Sequence, residues 1–99
     1  MQVFIKNQFN AFKVKENWIK TVSFVLPECS LNILKGILKK EGMRVIGQWK
    51  DFITENYLCT GIELSVIIWI TPLSNGDLQI TIHRLRSDYL ERIVSEHHL

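Results

Sequence analysis

From Ile62 to His83 the chain alternates aliphatic and polar residues on either side of one Asn-Gly pair, and few folds admit that pattern. The even positions of the first arm are Ile62, Leu64, Val66, Ile68 and Ile70; the odd ones are Glu63, Ser65, Ile67 and Trp69. Successive strand residues point to opposite faces, so this arm reads as a strand with one aliphatic face and one mixed face. Pro72 has no N–H for a ladder and ends it. Asn75-Gly76 takes positive φ at low cost, as a reversal between antiparallel strands requires. Leu78, Ile80 and Ile82 resume the alternation opposite Gln79, Thr81 and His83. The pattern predicts an antiparallel hairpin.

After Arg86 the period changes. Tyr89, Leu90, Ile93, Val94 and His97 fall at helical spacing, with Glu91, Arg92, Ser95 and Glu96 on the other side. Asp88 with Glu91, or Ser87, is the expected cap. About ten helical residues do not stand alone in water, so this helix must dock on the sheet. Upstream, Val22, Phe24 and Leu26 alternate with Thr21, Ser23 and Val25, which predicts a strand from Trp18 to Leu26, stopped by Pro27. Ser30 or Cys29 then caps a helix whose stripe is Leu31, Leu34, Ile37 and Leu38, with Gly42 beyond its last lysine as the terminator. Gly36 inside that helix suggests close packing on the sheet.

Met43, Val45, Gly47 and Trp49 alternate with Arg44, Ile46 and Gln48 and predict a further strand. From Lys50 to Gly61 the favoured expectation is another strand, with Thr54-Glu55-Asn56 as a turn, over the alternative of one helical turn across Lys50–Asn56. Met1–Ile5 is expected as a short edge strand and Lys6–Lys15 as an irregular arm, residues 1–17 thus lying outside the main layers. The sum is an α+β fold in two layers, an antiparallel sheet of about four to five strands with two helices packed on one face.

The 99 residues suffice for one core and one small domain. A hydrophobic content of 46% with three tryptophans argues against disorder. No apolar run approaches the roughly 18 residues of a membrane span, and no secretory signal is evident, so an intracellular, cytoplasmic protein is expected. Cys29 and Cys59 are far apart and lack metal spacing, which fits reduced thiols. The net charge of +2, from 12 basic and 10 acidic residues, is too mild to announce a nucleic-acid binder.

Chemistry is sparse. His97 and His98 are neighbours that diverge by about 100° on a helix, and His83 has no carboxylate at ligand spacing, so no metal is expected. No nucleophile stands beside a base, no glycine-rich phosphate loop occurs, and neither catalysis nor a cofactor is expected. The basic residues carry more. Lys35, Lys39 and Lys40 lie on the outer side of the first helix with Arg44 close behind, and Arg84 and Arg86 lie where the last strand enters the closing helix. Converging, they would meet an anionic lipid surface, an acidic protein partner or nucleic acid; apart, they are a solvated face. A nucleic-acid reader would stack bases on Trp49, Trp69 and Tyr57. Ile67 and Trp69 are large for a solvent face, and either a helix covers them or they form an interface, as in a homodimer.

The segments VSFVLP, SLNILKGILKKEG, MRVIGQWK and GIELSVIIWITPLSNGDLQITIHRLRSDYLERIVSEHHL together resemble the kinase-associated-1 domain, the C-terminal module of MARK-type, checkpoint and AMP-activated-type kinases. The resemblance spans residues 22–99 and departs from the family in that HRLRSD lacks a glycine before the closing helix. It implies docking on anionic phospholipid or on a partner domain through Arg84 and Arg86. The reading is a non-enzymatic binding and regulatory module; a small nucleic-acid-binding protein and a homo-oligomeric scaffold are the alternatives.

Overall fold

The computed structural model describes residues 1–13, 21–62 and 64–99. The order is α1 (Gln2–Lys13), β1 (Thr21–Leu26), a 3-10 turn (Glu28–Ser30), α2 (Leu31–Lys40), β2 (Arg44–Asp51), β3 (Thr54–Thr60), β4 (Ser65–Pro72), β5 (Leu78–Leu85) and α3 (Ser87–Glu96). The five strands form one antiparallel sheet in the order β1-β5-β4-β3-β2. The α+β class is therefore as the alternation implied.

The expected hairpin is β4–β5, with Ile68 opposite Ile82 and Ile70 opposite Ile80. Its loop runs from Leu73 to Asp77. Gly76 takes φ +90, and the Asn75 side-chain oxygen accepts from the Asp77 N–H at 3.0 Å. Ile62 falls outside the strand and is fully exposed. Val66, Ile68 and Ile70 join Ile80, Ile82, Phe24 and Leu26 on one buried face. Against that face pack α1, through Ile5, Phe9 and Phe12, and α2, through Leu34, Ile37 and Leu38. Gly42 ends α2 at φ +76, and the Met43 N–H donates to the Leu38 carbonyl at 3.0 Å, the bond that closes such termini.

Several expectations need correction. Residues 2–13 are a helix rather than an edge strand and an arm: Ile5, Phe9 and Phe12 are spaced by four and three, and that stripe outweighs the intervening Asn and Gln. Residues 18–20 of the expected β1 lie outside the described residues. The β2–β3 reversal falls at Phe52-Ile53, and Thr54, Glu55 and Asn56 belong to β3. Gly36 is exposed with open space at its α-carbon, so it marks no close packing. Neither Ser30 nor Asp88 caps its helix through a side chain; Asp88 pairs with Arg86 instead.

The second helix of the expected layer lies on the other face. His97 stacks on Trp49 with ring centroids 3.9 Å apart, and a β-carbon on Gly47 would meet the Leu99 side chain. Gly47 and Trp49 align through Leu58 and Asn56 with Ile67 and Trp69, on the face away from α1 and α2. The reason Gly47 lies there is a bulge between Val45 and Gly47, which leaves Ile46 extra and reverses the alternation. Met43, Val45, Gly47 and Trp49 thus do not share a face, as a regular strand would have required.

Phe52 stands at φ 52 in the two-residue loop and is almost completely exposed. Positive φ costs a bulky residue about 1–2 kcal/mol, and glycine's extra unfolded entropy about 0.5–1. Phe52→Gly is therefore expected to raise unfolding stability by about 0.5–1 kcal/mol, read as a higher urea midpoint at unchanged slope.

Candidate functional site

Five strands about 4.8 Å apart make a face roughly 24 Å wide, and two helices packed side by side cover about 20 Å of it. α1 reaches the β1 side, where Phe4 meets Phe24 edge-on at 5.8 Å. The shortfall opens at the other edge, as a cleft of about 390 Å³ between α2 and the β2–β3–β4 side of the sheet. Its wall is Leu31, Leu34 and Leu38 of α2; its floor is Cys59, Ile68 and Ile70; Met43 and Val45 close one end. The volume lies in the range of small-ligand sites, about 300–1,000 Å³.

Four polar side chains border the mouth. Lys35 and Lys39, one helical turn apart, come from α2. Tyr57 and Gln48 come from paired strands, the Gln48 amide donating to the Tyr57 hydroxyl at 3.3 Å. The Lys35 ammonium stands 5.6 Å from the centre of the Tyr57 ring. Neither lysine is ion-paired among the described residues. The arrangement is an apolar slot with two cations and two neutral hydrogen-bonding groups at its opening. It can hold an apolar chain by burial and an anionic group by charge.

The six basic residues singled out in the sequence are distributed as follows. Lys35 and Lys39 share the cleft mouth. Lys40 lies on the other side of α2, bordering a shallow depression with Gln2 and Gly36. Arg44 belongs to the face that carries α3, while Arg84 aligns with Val66 on the opposite face. The two arginines are also three strands apart, about 14 Å. Arg86 makes an exposed ion pair with Asp88 at 2.8 Å and lies 5.2 Å from the centre of the Tyr89 ring. The guanidinium hydrogen bond holds the Asp88 carboxyl below its ordinary range. The structure brings two of the six together at the cleft.

The aromatic and interface candidates also divide. Ile67 is buried, on the face where α3 lies, and Trp69 is half-buried and stacked on His83 with centroids 5.8 Å apart. His83 in turn shares a hydrogen bond with the Thr21 hydroxyl at 2.6 Å. Trp49 and Trp69 occupy one face and Tyr57 the other, so the three form no common platform. Among the described residues no three His, Cys, Asp or Glu side chains gather as a metal site would need. No helix among them is long and apolar enough to cross a membrane.

Sequence reading missed the cleft because its lining is drawn from four elements. The nearest signal is in α2, where Lys35 and Lys39 flank Leu38 at i, i+4. Comparison with protein-family models, curated proteins and solved structures finds no match for this chain.

Cys59 on the floor gives the cleft a titratable probe. Burial pushes its thiol from 9.0 up to about 11. Above pH 9 the unfolded chain loses this proton first, so the unfolded state gains and stability falls until about pH 11. In unfolding titrations Cys59→Ala is expected to be less stable at neutral pH but to lose less stability from pH 9 to 11. At pH 8 the exposed Cys29 should be alkylated in the native protein while Cys59 is spared, read as one label by mass.

Proposed function

We propose that this protein is a non-enzymatic binding module for an anionic amphiphile, with the apolar chain in the cleft and the acidic head between Lys35 and Lys39. The observation that carries this is the pairing of a 390 Å³ apolar slot with two ammonium groups at its mouth that have no ion pair among the described residues. A cation at the rim of an apolar slot discriminates by charge, because burial alone treats a fatty acid and a fatty alcohol of one length nearly alike. Tyr57 and Gln48 supply neutral donors and acceptors that orient the head without opposing its charge.

An anionic lipid surface is the natural source of such a ligand. The resemblance of residues 22–99 to the kinase-associated-1 domain implies the same ligand class through Arg84 and Arg86. We assign the main role to Lys35 and Lys39 instead, since Arg86 is already neutralised by Asp88.

The test is a titration with a fluorescent long-chain fatty carboxylate and the neutral alcohol of equal length, at low and high salt. The carboxylate is expected to bind more tightly, and Lys35→Glu with Lys39→Glu to weaken it about tenfold or more while leaving the alcohol unchanged. Equal binding of both probes, or carboxylate binding that survives the double reversal, overturns the reading.

A further inference from the structure

β2 is the outer strand of the sheet, and its far side pairs with no strand among the described residues. Val45, Phe52 and Ile53 are exposed along this strand and its loop. Arg44 near one end and Asp51 at the other have no ion pair among the described residues, and Asp51 accepts only from the Asn56 amide at 3.3 Å. A regular strand would send residues seven apart to opposite faces. The bulge at Ile46 changes this. Asp51 pairs with Thr54 and Arg44 with Thr60, and the alternation of β3 puts both on the face that carries α3.

We propose that β2 pairs antiparallel with β2 of a second copy of this chain, about a two-fold axis at Gln48. Directly opposed residues of antiparallel strands share a face, which restricts the registers. About Gln48, Trp49 meets Gly47; beyond the unpaired Ile46, Lys50 meets Val45 and Asp51 meets Arg44. Each of these pairs shares a face, and Arg44 meets Asp51 twice by symmetry. Val45 is covered by the aliphatic stem of Lys50. An axis at Lys50 would instead set like charges against each other. Bulges usually protect an edge from pairing, yet here the bulge is what brings opposite charges into phase.

Phe52 gives the second argument. A bulky residue at φ 52 with its side chain in solvent costs stability and gains nothing within its own chain. In this register Phe52 follows Asp51 to the partner's Met43, at the end of the partner's cleft. Each copy thereby adds an aromatic side chain to the rim of the other's site, a step beyond the ligand reading and independent of whether that reading holds.

The experiment is sedimentation velocity over a concentration series of the ligand-free chain. The mass is expected to rise from the 11.6 kDa monomer towards twice that value. Arg44→Asp and Asp51→Arg are each expected to weaken association about tenfold or more, because each reversal occurs twice, and the double exchange to restore it. Both positions are exposed; Asp51→Arg gives up one hydrogen bond from the buried Asn56 amide, which keeps the Trp49 and Thr54 carbonyls as acceptors. Amide exchange gives a second readout, with the outward-facing N–H groups of β2 becoming protected as concentration rises. A monomer at every concentration overturns the proposal. So does a dimer indifferent to both reversals, or one that the double exchange fails to recover.

Discussion

The register of β4 against β5 is the constraint on which the other elements depend. Ile68 opposite Ile82 and Ile70 opposite Ile80 fix which face of the two inner strands is apolar. A slip by one residue would set Ile68 opposite Thr81 or His83, so that one of the two strands would turn its isoleucines away from the helices. β1 extends the same apolar strip through Phe24 opposite Ile80, and β3 carries it on through Cys59 opposite Val66. α1 and α2 are short and amphipathic, and each holds its helical form by having that strip to pack on. A large-to-small change at Ile68 or Ile82 would cost about 2–5 kcal/mol, a substantial part of the roughly 5–15 kcal/mol that keeps a small domain folded.

The cleft follows from the same layering. Two helices are too narrow for five strands, and α1 occupies the β1 side, so the uncovered strip falls beside α2 at β2 and β3. The other face is treated differently: Leu58 and Ile67 are buried there, and α3 is the helix on that side. α3 itself has no fully buried residue. The sheet thus separates a layer with a dense apolar core from one held by a stacked His97 and Trp49 and by Leu99 over Gly47.

What could be read from the chain depended on whether a pattern was local. β4, its Asn-Gly loop, β5 and the Gly42 terminus of α2 were legible because each is specified by residues within one turn or one alternation. α1 was obscured: Val3 and Phe4 are exposed apolar residues beside the buried Ile5, which blurs a stripe that Phe9 and Phe12 complete. The loop at Phe52-Ile53 was illegible for a different reason, since neither residue has turn chemistry and Thr-Glu-Asn next to it does. Of the basic positions, Lys35 and Lys39 were found as a helix face, but their relation to Tyr57 and Cys59 depends on long-range pairing. Nothing in the order of charges along the chain shows that Arg86 is neutralised by Asp88 or that Arg44 and Arg84 lie on opposite faces.

The bulge at Ile46 has a consequence for how this hairpin tolerates change. It acts on side chains as a frameshift acts on codons: everything after it is read on the other side. Removing that one residue would leave every β2–β3 pair, and with it every face, as it is: Val45 would stay opposite Cys59 and Gly47, Trp49 and Asp51 opposite Leu58, Asn56 and Thr54, in a strand that now alternates regularly. A change of length in β2 is therefore absorbed at Ile46, the residue with no partner across the ladder, without exchanging the chemistry of the two surfaces.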